Sequence, residues 1–186
     1  MNSEFPRDYE YEVLNELPGI ATPRHLYYPG ASTTGGGDGL IVRVRPNGAD
    51  AWLGTFAFGM FPIGPVHVLT TPNPDVVCVL AKGDGYLVTT TNPTRWETVR
   101  CVPVLDVRQV LSHDLLVFAD LTGLIAYGKD GVTWVSGRIG ADELKVVDVS
   151  SNEIRGTWWN PATGNYEEFA VAPSSGKLVR GTRWMA

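Results

Sequence analysis

The sequence predicts an all-β chain of about four antiparallel β-meander repeats, and three observations carry that expectation. Turn-forming residues are dense, with 21 Gly and 13 Pro in 186 residues, which implies many short elements. Four stretches each run from a glycine to an aromatic residue across a turn: Gly39 to Trp52, Gly85 to Trp96, Gly123 to Trp134 and Gly156 to Phe169, at spacings of 13, 11, 11 and 13. The glycines stand 46, 38 and 33 residues apart, an average of 39, close to the ~40–45 residues of a four-stranded propeller blade. The expected architecture is β-propeller-like, as a closed small propeller or a partial one. A curved β-sandwich is the alternative.

Taken in order, residues 1–35 lie outside the repeat. There "YEYEV" alternates Tyr9, Tyr11 and Val13 with Glu10 and Glu12, the pattern of an edge strand. "ASTTGGGDG", residues 31–39, reads as a flexible joint. Repeat units then cover 36–74, 75–112, 113–152 and 153–186, all within one domain, 1–186. Each holds a hairpin: an apolar or Thr-rich strand, a turn of Pro, Gly, Asn or Asp, and a strand carrying the aromatic. The run Leu115 to Ala119 has no polar alternation, as expected of a strand covered on both faces. The glycine is expected to mark the hairpin turn, and Trp52, Trp96, Trp134 and Phe169 to fill equivalent buried positions. The last unit is short, so the strand at 9–14 is expected to complete it and close the sheet between the chain ends.

Composition excludes several functions. The formal charge is −5, with 15 Lys+Arg against 20 Asp+Glu, so a general nucleic-acid binder is not expected, because phosphate neutralisation needs a basic surface. The N-terminus "MNSEFPRDYEYEVLNEL" has neither a basic head nor an apolar core of the secretory kind, and no apolar run reaches membrane-spanning length. A cytoplasmic location without membrane insertion is the expectation. Cys78 in "VVCVL" and Cys101 before "VPVL" sit in apolar settings where thiols behave as small hydrophobes.

"GVTW", residues 131–134, resembles the G-x-T-W half of the Asp-box, a motif on hairpin turns of sialidase-like propellers, and "KDGVTW" has the look of small bacterial propeller-like repeat proteins. Tyr127 and Lys129 stand where that motif has Ser and Asp. The resemblance implies a hairpin turn at this point. It implies no sialidase chemistry, because the Arg triad and Tyr/Glu pair of those enzymes have no matching motif here.

The search for chemistry points to a non-enzymatic role. His25, His67 and His113 have no metal-ligand spacing, and no metal or cofactor is expected. Nucleophile-elbow, phosphate-loop and dinucleotide patterns are absent, and "STTGGGDG" has no helix after it to cradle a phosphate. Asp84, Asp106, Asp120, Asp130, Asp142, Glu143, Glu167 and Glu168 are candidates for a carboxylate pair, but most sit where a turn needs a cap. No catalytic residue is assigned.

One stretch does suggest a binding surface. In "GTWWNPATGNYEEF" the adjacent Trp158 and Trp159 must point to opposite faces of a strand, so if one is core the other is exposed or covered by another part of the chain. With Asn160 and Tyr166 they form the candidate contact surface for a protein partner, in an adaptor or a neutralising protein like those acting against bacterial toxins. The alternative is a carbohydrate or small-molecule site, hydrolytic or not, in a central channel or at a blade junction. Lys177, Arg180, Arg183 and Trp184 near the C-terminus read as a solvated tail.

Overall fold

The computed structural model describes residues 4–19, 23–182 and 184. It divides into two compact units, one Pro6–Val102 and the other Pro103–Ala186 with Met1–Phe5. Each unit holds two four-stranded sheets, and the only helical turn among the described residues is the 3-10 turn Leu111–His113.

In the first unit, β1 (Tyr9–Leu14), β2 (Arg24–Tyr28), β3 (Gly39–Pro46) and β4 (Trp52–Ala57) form a sheet in the order β1-β3-β4-β2. β5 (Val66–Thr70), β6 (Val76–Ala81), β7 (Asp84–Thr89) and β8 (Trp96–Thr98) form the second as an antiparallel meander. Alternation does the sorting: Val42, Val44, Trp52 and Phe56 from one sheet meet Val77, Val79, Tyr86 and Val88 from the other in a single buried cluster. Tyr28 stacks on Phe56 with centroids 4.6 Å apart and meets Trp96 edge-on at 5.7 Å.

The second unit repeats the plan. β9 (Asp106–Val110), β10 (Leu115–Ala119), β11 (Gly123–Gly128) and β12 (Gly131–Arg138) form one meander. β13 (Asp142–Val149), β14 (Ile154–Asn160), β15 (Asn165–Val171) and β16 (Leu178–Arg180) form the last. Val117, Ala126 and Trp134 pack against Leu144, Val146, Trp158 and Phe169. β10 is buried at every position, as its unbroken apolar run requires.

All four hairpins form, as β3–β4, β7–β8, β11–β12 and β14–β15. At the Asp-box-like segment, Gly128 pairs with Gly131 across the two-residue turn Lys129–Asp130. The phase of the expected units is shifted by one strand, however. The stretch 75–112 takes β6 to β8 of one sheet together with β9 of the next, and 113–152 likewise adds β13 to β10 to β12. The two spacings have a structural meaning that the sequence did not reveal. A gap of 13 spans an inner hairpin, the second and third strands of a sheet, and a gap of 11 spans an outer one, the third and fourth.

Three expectations are corrected. Residues 9–14 do not complete the last sheet: β1 pairs residue for residue with β3, from Tyr9↔Pro46 to Leu14↔Ile41, and the last sheet ends in its own β16. Across that pairing Glu12 reaches Arg43 at 2.7 Å and Arg45 at 3.4 Å. Within the stretch expected to lie outside the repeat, β1 and β2 are thus half of a full sheet, with β2 parallel to β4. The landmark glycines are not turn residues but lie at or near the start of strands, where a neighbour's backbone or side chain comes too close for a side chain. A Cβ at Gly39 would stand 2.3 Å from the Phe56 carbonyl oxygen, and one at Gly156 would stand 2.1 Å from that of Lys145. The aromatics are not equivalent either: Trp52 and Phe169 lie on third strands, Trp134 on a fourth, and Trp96 opens the short β8 half-buried.

Candidate interaction surface on the last sheet

β14 and β15 pair over seven positions, with Trp158 opposite Glu167, Trp159 opposite Tyr166 and Asn160 opposite Asn165. Strand alternation then separates the two tryptophans. Trp158 shares a face with Ile154 and Gly156 and is 1% exposed. Its ring lies on Gly140, where an added Cβ would come within 2.5 Å of it, and stands edge-on to Trp184 at 6.1 Å. Trp158 is a core residue. Trp159, on the other face, is half-buried and meets Tyr166 edge-on at 5.3 Å and 66°.

Two residues from β13 complete this face. The Tyr166 hydroxyl donates to Glu143 Oε2, and the Lys145 ammonium lies 5.7 Å from the Tyr166 ring centroid. Glu143 reaches Tyr166 from an irregular stretch of β13, where its own φ is 49° and the pairing with β14 shifts register. The bond to Glu143 holds the Tyr166 hydroxyl in its protonated form and raises its pKa. Tyr166 remains 49% exposed, so its ring is oriented from behind and open in front.

The amides are engaged in structure. Asn160 donates to Glu167 Oε1 at 3.2 Å and accepts from the Ala162 N–H at 3.0 Å, while its carbonyl oxygen accepts from Thr163 and Gly164. Asn165 donates to the Thr163 carbonyl. Asn160 thus builds the turn that joins the two strands.

Further along the same face, a cavity of ≈ 210 Å³ is lined by Val147, Asp148, Arg155, Thr157, Glu168 and Arg180, among others. Arg155 donates to Asp148 and lowers its pKa, and Arg180 pairs with Glu153 at 2.7 Å. The segment read as a solvated tail is ordered, with Lys177 and Arg180 exposed. Its residues 178–180 are β16, and the Trp184 N–H donates to the Ile139 carbonyl at 2.8 Å. Arg183 lies outside the described residues.

The remaining candidates are dispersed or engaged. His25 bonds Thr55 at 2.8 Å, and burial lowers its pKa. His113 meets the Ser151 carbonyl, and His67 is exposed on β5. Asp120 accepts from Thr122 and Gly123 as a turn cap, and Asp106 from Val107 and Arg108. Among the described residues no group of three or more His, Cys, Asp or Glu is placed to hold a metal ion. Among them, too, no helix is long and apolar enough to cross a membrane. Cys78 and Cys101 are buried thiols, not joined in a disulfide.

Sequence reasoning missed the contribution of β13. Glu143 was visible only as one acid among many, and Lys145 carried no local signal, because the strand register alone brings them to Tyr166.

No family model matches the chain, and no curated protein matches it. Among solved structures, the N-terminal domain of Nup159 is similar over 99% of this chain and 52% of that one, at 12% identity and a TM-score of 0.38. The chain spans about half of that structure.

Proposed function

We propose that the chain acts by binding, as a non-enzymatic protein-interaction module of the adaptor or neutralising kind, through the face of β14 and β15 that carries Trp159 and Tyr166. The observation that supports this most is the cross-strand aromatic pair, with Tyr166 half exposed and its hydroxyl already committed to Glu143. An aromatic ring held in place before binding loses little freedom on contact, which is why Tyr and Trp dominate binding hot spots. Glu143, Glu168 and Lys145 surround the pair with both signs of charge, suited to setting the orientation of a protein partner.

The test begins with a pull-down from the native host to obtain the partner. Trp159→Ala and Tyr166→Ala should each weaken its binding by about 2 kcal/mol with thermal melts close to wild type. Unchanged affinity in both variants would remove this face from the interface.

A further inference from the structure

In the first unit, the glycine-rich segment before β3 borders a cavity of ≈ 510 Å³, lined by Tyr27, Asp38, Ile41, Thr55, Phe58 and Lys82, among others. That volume falls in the range of small-ligand sites, about 300–1,000 Å³. Tyr27 comes from β2, Ile41 from β3 and Thr55 from β4, while Asp38 immediately precedes β3, Phe58 follows β4 and Lys82 lies in the turn between β6 and β7.

The walls are held by neighbouring structure. Tyr27 and Thr55 are paired positions of the parallel strands β2 and β4. The segment before β3 runs so close to the Tyr27 ring that a Cβ at Gly36 would stand 3.4 Å from it. Phe58 donates its N–H to the Asp38 carbonyl at 3.4 Å, which sets these two residues side by side. The most buried lining residue is Thr55, 6% exposed, with its hydroxyl 2.8 Å from His25 Nε2. A hydroxyl both donates and accepts, so whichever role His25 takes, Thr55 keeps the other for a ligand.

The lining also carries one cation and one anion, and neither is neutralised. Among the described residues, the side chains of Lys82 and Asp38 make no ion pair and no hydrogen bond. The Lys82 ammonium rests 4.2 Å from the Phe58 ring centroid. Its backbone is clamped, since the Lys82 N–H donates to the Pro65 carbonyl and its carbonyl accepts from Phe61, each at 3.1 Å. Ala81 pairs with Asp84 across the two-residue turn Lys82–Gly83, whose φ values are 50° and 95°. Asn-Gly or Gly-Gly is the ordinary choice for such a turn, and a lysine there is strained. The turn by itself does not call for lysine.

These charges select the ligand. An anion alone would meet Asp38, and a cation alone would meet Lys82. A ligand with both signs answers both. Neighbouring carboxylate and ammonium groups on a ring-bearing body are the chemistry of an aromatic α-amino acid: the carboxylate pairs with Lys82, the ammonium with Asp38, and the ring lies against Tyr27 and Phe58.

We propose that this cavity binds a free aromatic α-amino acid. The site shares no residue with the face of β14 and β15 and is independent of the protein-binding reading.

An NMR titration of the nitrogen-labelled full chain with L-phenylalanine tests it. Binding should move the amides of Asp38, Phe58 and Lys82 with a Kd of about 1 mM or tighter. Phenethylamine, which lacks the carboxylate, and hydrocinnamate, which lacks the ammonium, should each bind about tenfold more weakly. Lys82→Asn should lose about tenfold for phenylalanine and keep its affinity for phenethylamine, whereas Asp38→Asn should lose about tenfold for phenylalanine and keep its affinity for hydrocinnamate. Asn suits the turn and Asp38 is exposed, so neither variant should melt below wild type. The proposal fails if phenylalanine at about 10 mM moves none of the three amides. It also fails if either analogue binds as tightly as phenylalanine, or if either variant binds phenylalanine as wild type does.

Discussion

Trp158→Ala, set against Trp159→Ala, tests the two-faced assignment of β14. Trp158 is 1% exposed, seated on Gly140 and edge-on to Trp184. Strand pairing keeps the neighbours from closing over a missing indole, so the cost belongs to the range for emptied aromatic core sites, about 3–5 kcal/mol. One feature offsets part of this. The indole Nε1 has no hydrogen-bond partner among the described residues, and a buried unpaired donor costs about 1–3 kcal/mol. The expected loss for Trp158→Ala is therefore near the bottom of the range, about 3 kcal/mol. Trp158→Phe keeps a ring and drops the unpaired donor, so it should lose only about 1 kcal/mol. Trp159→Ala removes a half-exposed ring and its edge contact with Tyr166, for about 1 kcal/mol. Urea titrations followed by far-UV circular dichroism measure all three as shifts in midpoint at constant slope. If Trp159→Ala costs as much as Trp158→Ala, the face assignment is wrong.

Gly156→Ala should destabilise by about 2–3 kcal/mol in the same assay, because its Cβ would meet the Lys145 carbonyl oxygen at 2.1 Å and the Phe169 ring at 2.6 Å; a neutral result would mean that β13 and β14 are not in this register. Burial, and secondarily the charge of Asp84, push the Tyr86 phenol up from 10.0 to about 12. The folded state holds this proton more tightly than the unfolded one, so the stabilisation is full below pH 10 and is lost as pH rises through about 12. Tyr86→Phe should flatten that alkaline loss, and a tyrosinate absorbance titration in which every tyrosine ionises near pH 10 would contradict it. Cys78 and Cys101 are both buried, and burial pushes the Cys78 thiol well up. Neither should react with a disulfide reagent in the native protein, and both should react in denaturant; rapid native labelling would show that the β6 core is open. Deleting residues 1–16 removes β1 and bares the outer edge of β3, and soluble yield should fall sharply; an equally soluble, equally stable product would show that β1 is dispensable.

Much of the fold was legible because hairpin signals are local. Alternation in "YEYEV", the unbroken apolar run at 115–119 and the Asn, Pro, Gly and Asp turns each act within a few residues, and each formed the expected element. β2 was missed, since "RHLYY" has neither clear alternation nor a hairpin partner beside it in sequence, and it pairs in parallel with β4 across an intervening strand. The candidate site was half legible. Adjacent tryptophans had to face opposite ways, but no property of the stretch from 156 to 169 says which face another sheet covers.

By itself, the sequence determined the four glycine-to-aromatic hairpins, the strand character of most segments and the opposed faces of Trp158 and Trp159. All of these depend on the period-two geometry of a strand and on backbone preferences at turns, which act over a few residues. Only the tertiary structure decided that β1 closes the first sheet and not the last, that Trp158 is core, and that Glu143 and Lys145 reach Tyr166. Strand partners are chosen by which edges and faces are jointly buried, a long-range competition among segments of similar local pattern. A spacing shared by two hairpins therefore fixes their shape but leaves their place in the sheet to the rest of the chain.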